Sequence, residues 1–74
     1  MEKEIDSYQI REILNDFLGT LSRKDRDIFV RRYWYIDSIR EIAQRHQVTE
    51  TNVKSNLYRS RKKLLKIMNK EGIL

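Results

Sequence analysis

The sequence predicts an all-α protein, a compact four-helix domain with a C-terminal helix-turn-helix. Three observations carry this. Proline is absent and glycine occurs only at Gly19 and Gly72, so little interrupts a helical backbone. Apolar residues recur at three- and four-residue spacing in separate stretches. Ser22, Ser38 and Thr49 each stand just before such a stretch, where a hydroxyl can accept a first-turn backbone N–H. Seventy-four residues bound the chain to a single domain over 1–74. With no cysteine and one histidine, neither a disulfide nor a metal staples this small core, so helix packing must hold it.

The first helix is predicted from Asp6 or Ser7 to Leu18. Ile10, Ile13, Leu14, Phe17 and Leu18 form its apolar stripe. Gly19 is expected to end it in the left-handed conformation, and Met1 to Ile5 read as a frayed end. Ser22 opens the second helix, with Asp25 three residues on in a near capping box. Ile28, Phe29, Tyr33 and Ile36 make the inward stripe, which puts Tyr33 in the core. Ser38-Ile39-Arg40-Glu41 is a full capping box and starts a short helix over Ile39 to His46. Ile42 and Ala43 face inward there. Thr49 caps the long fourth helix, whose end is expected to fray, so that 70–74 read as loose.

The fourth helix carries the functional signal. Val53, Leu57, Leu64 and Met68 share one stripe, with Ser60 filling the gap between them. Stepping about 100° per residue puts Thr51, Ser55, Tyr58, Arg59, Lys62 and Lys66 on the far side. Lys54 through Lys70 contain seven basic residues and no acidic one. The charge is divided along the chain. Met1 to Asp27 carry seven acids against five bases, a net −2; the rest carries eleven bases against four acids, a net +7. A cationic stripe of this kind suits a polyanion, of which nucleic acid is the commonest.

A short helix, a tight turn and a longer basic helix together read as a helix-turn-helix over about 38–66. Ala43 is small where the helices cross, Val48 plugs the turn, and Val53 with Leu57 seats the last helix. The N-terminal half of that helix is then free to enter a major groove. Nothing suggests an enzyme. There is no nucleophile–base pair, no glycine-rich phosphate loop and no metal spacing, and Asp25 and Asp27 point apart on their helix. No cofactor or small-molecule ligand is expected. The acidic start MEKEID has no apolar segment typical of a signal peptide, and no apolar run would span a membrane, so a cytoplasmic chain is expected.

The stretch LSRKDRDIFVRRY followed by SIREIAQRHQVTETNVKSNLYRSRKKL resembles region 4 of bacterial RNA polymerase sigma factors, in particular the extracytoplasmic-function-like branch. Leu21, Arg26, Phe29, Tyr33, Ser38, Glu41, Ile42, Ala43, Val53, Lys54, Ser55, Leu57, Arg59 and Arg61 match the family pattern, and V-K-S-x-L-x-R-x-R is its most specific part. The chain departs from it at Ser22, where proline is usual, and at Ile36 and Gln47, where glycine is frequent. The resemblance implies double-stranded promoter DNA as partner, through the minus-thirty-five element, and docking on the β flap of the RNA polymerase core. It also allows an anti-sigma protein as a partner, and it implies a longer parent protein from which this domain is a fragment. Lys54, Ser55, Tyr58 and Arg59 are then the residues facing base edges and nearby phosphates. Thr51 and Asn52 sit in the first turn, where free N–H groups can hold a phosphate. Lys62, Lys63 and Lys66 add unspecific attraction.

Four side-chain roles complete the reading. His46 is expected to fill an apolar slot between the hairpin helices. Trp34, beside Val30, is a candidate contact for a protein partner. Arg26 and Glu41 are expected to pair and tie the hairpin to its support. Asn56 and the run Arg59-Ser60-Arg61 argue against the main rival, a LuxR-type response-regulator output domain. A second rival is an adaptor that binds polymerase or an anti-sigma protein without reading DNA.

Overall fold

A computed structural model describes residues 7–72. The helices are α1 (Ser7–Gly19), α2 (Arg23–Tyr33), α3 (Ile39–His46) and α4 (Glu50–Lys70). Each of the last three starts where a hydroxyl is ready. Ser22, Ser38 and Thr49 accept from the backbone N–H of Asp25, Glu41 and Asn52. At Ser38 the box is complete, because Glu41 Oε1 accepts the Ser38 N–H at 3.2 Å. The frayed ends expected over 1–5 and at 73–74 lie outside the described residues, as does Asp6. Lys70 is still helical, and Gly72 turns the chain with a φ of 73°. No helix among the described residues is long and apolar enough to cross a membrane.

α4 is the axis of the fold and packs on all three other helices. The core gathers Phe17, Leu21, Ile28, Phe29, Ile42, Ala43, Val53 and Leu57, with Leu18, Ile39, Val48, Leu64 and Ile67 against its margin. Phe17 and Phe29 meet edge to face, with ring centroids 5.1 Å apart, and join α1 to α2. In α1 the buried residues are Ile13 and Phe17, whereas Ile10 is exposed.

Several expectations are corrected. Gly19 is not left-handed; it is the last residue of α1. Side chains close that end instead: Thr20 Oγ1 donates to Phe17 O at 2.6 Å, and Arg26 Nε donates to Leu18 O at 3.0 Å. Arg26 also reaches Leu21 O, so it is committed to the α1–α2 turn and does not pair with Glu41. Glu41 is committed to its capping box. α2 stops at Tyr33, so the 3.6-residue period no longer applies at Ile36, which is 74% exposed with a φ of 57°. Tyr33 is also exposed rather than core; its ring lies against Phe29 and its hydroxyl accepts from Arg61 Nη1 at 3.0 Å.

Gln47 has a φ of 55° and takes the left-handed position after α3. Its N–H donates to Gln44 O, and the Val48 N–H donates to Ala43 O, which is the Schellman pattern. The turn of the hairpin therefore keeps the geometry a glycine would provide, although a glutamine occupies it. The same holds at Ile36, where the turn brings the Asp37 N–H to Arg31 O at 2.9 Å.

Candidate nucleic-acid interface

The α3–α4 hairpin sets which side of α4 is free. Val53, Asn56, Leu57 and Ser60 are buried against α2 and α3. Thr51, Asn52, Lys54, Ser55, Tyr58, Arg59 and Lys62 are all exposed, so every residue predicted to meet DNA lies on the open surface of one helix. They do not share a single line. Thr51, Ser55, Tyr58 and Lys62 run opposite the buried stripe; Asn52 and Arg59 lie on one flank and Lys54 on the other.

The cations of α4 divide into two groups. Arg61 is tied to Tyr33, and Lys63 Nζ donates to Thr20 O at 3.4 Å, so both face back toward the body of the domain. Lys54, Arg59, Lys62 and Lys66 form no ion pair among the described residues. Lys62 Nζ sits 5.5 Å from the Tyr58 ring centroid, an i, i+4 contact that carries a positive charge over the aromatic face. At the start of the helix, Thr49 uses its hydroxyl on the Asn52 N–H, and the remaining first-turn N–H groups project toward the same end as Thr51.

Sequence reasoning missed the electrostatic tie under the hairpin. Asp27 on α2 receives Arg45 Nε at 2.8 Å and Nη2 at 3.3 Å, and His46 Nε2 lies 2.7 Å from Asp27 Oδ2. Arg31 approaches from the same helix at 3.8 Å. The hydrogen bond from Arg45 is the main reason the Asp27 carboxyl titrates below its ordinary value; burial opposes this and His46 adds to it. Asp27 in turn raises Arg45. His46 thus meets a carboxylate, not the apolar slot expected for it. Arg23, Lys24, Asp27, Arg45 and His46 line an open groove. It lies on the α2–α3 side, and its acid is already satisfied by neighbouring bases. Asn56 was missed as well, because a search for apolar periodicity passes over an amide on the buried stripe.

A second surface stands apart from α4. Trp34 is 52% exposed and Tyr35 62%, and with Asn15, Leu18 and Val30 they line a shallow groove between α1 and the end of α2. Arg31 lies over the Tyr35 ring at 4.4 Å.

A four-helix core with a capped hairpin that leaves one cationic helix face open defines a helix-turn-helix domain of the DNA-binding kind. Residues 11–64 match the family described as sigma-70, region 4, and the chain belongs to that family. Membership carries a promoter-recognition role in DNA binding and association with the RNA polymerase core. No curated protein matches the chain.

Proposed function

We propose that this domain binds the minus-thirty-five element of promoter DNA through α4 and so directs RNA polymerase, docked through its β flap, to start sites. The observation that carries the reading is the open face of α4, where four unpaired or solvent-facing cations stand with hydroxyl and aromatic side chains and no acid beyond Glu50. Thr51 and Asn52 hold a phosphate at the helix start. Lys54, Ser55, Tyr58 and Arg59 meet base edges and adjoining phosphates. Arg59 can donate two bonds to guanine O6 and N7, worth about 1–3 kcal/mol of discrimination. Lys62 and Lys66 add attraction without sequence content. The Trp34–Tyr35 groove is the surface offered to a protein partner: the polymerase, or an anti-sigma protein. A domain with this role works in the cytoplasm. Family membership sets the LuxR-type reading aside.

The test compares Arg59→Ala with Lys66→Ala on a preferred duplex and a scrambled one at several salt concentrations. Arg59→Ala is expected to cost the preferred duplex about 1–3 kcal/mol and the scrambled one less. Lys66→Ala should weaken both equally. Equal losses for Arg59→Ala would make it a backbone contact, and binding to neither duplex would favour the adaptor reading.

A further inference from the structure

Asn56 is the one amide on the buried side of α4, among Val53, Leu57 and Ser60, and only 5% of it is exposed. An apolar residue there would continue the stripe without any polar desolvation. Instead Nδ2 donates to Asp25 Oδ1 at 2.7 Å, across 31 residues of chain. The chemistry fixes the amide's orientation, since a carboxylate only accepts and the NH₂ end must face it. Asn56 Oδ1 is then buried with no hydrogen-bond partner. Asp25 is held in its own right, in the capped first turn of α2 with its N–H on Ser22 Oγ.

A half-satisfied polar link of this kind adds little stability. What a lone polar residue in an apolar seam does well is select one register over its alternatives. Apolar contacts tolerate a small roll of one helix on another, but a 2.7 Å bond to a carboxylate carried on a capped helix turn resists it. The consequence falls on the neighbours. Ser55 adjoins Asn56, Asn52 and Arg59 are one turn away on either side, and Arg59 shares a crevice with Asp25, Asn56 and Lys63. A roll of about 20° moves a side-chain end at a radius of about 6 Å by about 2 Å. That displacement is enough to break a two-pronged contact with a base.

We infer that the Asp25–Asn56 bond is a positioning device that fixes the roll of α4 and thereby sets which base edges Ser55 and Arg59 reach. The inference rests on the DNA-reading face proposed above. Its test uses the 74-residue chain, a duplex selected by that chain from a randomised pool at low salt, and a scrambled duplex. Asn56→Leu removes the bond and keeps the seam filled. It is expected to melt no lower than wild type, to lose about tenfold of its preference for the selected duplex, and to bind the scrambled one within about twofold of wild type. Its ¹H–¹⁵N spectrum should show broadened or doubled amide signals from Ser55 to Arg59, with those of α1 unchanged. Exchanging the pair, Asp25→Asn with Asn56→Asp, again sets an amide against a carboxylate and should restore preference and single signals. Full preference with sharp α4 signals in Asn56→Leu overturns the proposal, as does an exchanged pair that recovers nothing over Asn56→Asp alone. That last comparison decides if Asn56→Leu does not fold. A wild-type chain that selects no duplex overturns the DNA-reading face and this proposal with it, and is recognised before any variant is compared.

Discussion

Glycine and left-handed backbone are out of step at Gly19, Ile36 and Gln47. Gly19 sits in a helix end where its freedom is not used, and a Cβ there would meet nothing within 4 Å. Ile36 and Gln47 hold positive φ without glycine's freedom, and for a β-branched residue that conformation is the more strained. The substitutions run in opposite directions, and each is expected to stabilise. Gly19→Ala should stabilise by about 0.4–1 kcal/mol, through lost freedom of the unfolded chain. Ile36→Gly should also stabilise, by about 1 kcal/mol, since little packing is lost at so exposed a side chain. Gln47→Gly should gain less. Thermal melts followed by circular dichroism check all three, and a lower midpoint for Ile36→Gly would mean that its turn is held by contacts of the side chain. Asp27 gives a second expectation at this scale. Its folded-state pKa lies below the ordinary value, so its contribution is present at neutral pH and is lost as pH falls through that lowered value. Wild type should therefore melt above Asp27→Asn at pH 7, and the gap should close below about pH 4. A gap that stays constant into acid would mean that the Asp27 charge contributes nothing through Arg45 and His46.

The helix starts were legible because a cap is local chemistry: a hydroxyl, a following N–H and a charge three residues on. Ser38 with Glu41 needs no knowledge of the rest of the fold. Helix ends were less legible. The periodic reading of α2 ran on to Ile36, but the helix stops at Tyr33 and the turn that follows is built by the backbone bond from Asp37 to Arg31. Pairings between helices were the least legible. A tie between α2 and α3 was expected at Arg26 and Glu41, and it exists at Asp27, Arg45 and His46. Both expected partners are consumed locally, one at the end of α1 and one in a capping box, and spacing along a sequence does not show prior commitments. The phase of α4 was legible, since Val53 and Leu57 are buried and the residues predicted to meet DNA are exposed. Leu57→Ala should accordingly cost about 2–5 kcal/mol, as truncating a buried leucine does. In a domain this small that is a large share of the total stability. An unchanged midpoint in a denaturation curve would place Leu57 outside the core.

Across the whole molecule, charge separates where structure and recognition divide. The acids of α2 are engaged inside the domain, Asp25 by the Asn56 amide and Asp27 by the bases of α3. The formal cation count of α4 overstates what its open face offers DNA, because Arg61 and Lys63, though exposed, lie on the flanks of that face and bond to Tyr33 and Thr20. Lys54, Arg59, Lys62 and Lys66 remain along the outward side, with Lys70 beyond them in the last turn of the helix. If each of the first four neutralises one phosphate, the logarithm of affinity should fall against the logarithm of salt with a slope of about −3.6, at about 0.9 per phosphate on duplex DNA. Lys62→Ala should lower the magnitude of that slope by about 1. Lys63→Ala should leave it unchanged, although both lysines carry the same charge and are adjacent in sequence. The measurement is affinity for one duplex across a salt series for the wild type and both variants. Equal changes in slope would mean that DNA senses only the net charge of α4. A slope near zero in the wild type would show that its cationic face does not bind phosphate, and would leave the Trp34–Tyr35 groove as the surface through which the domain acts.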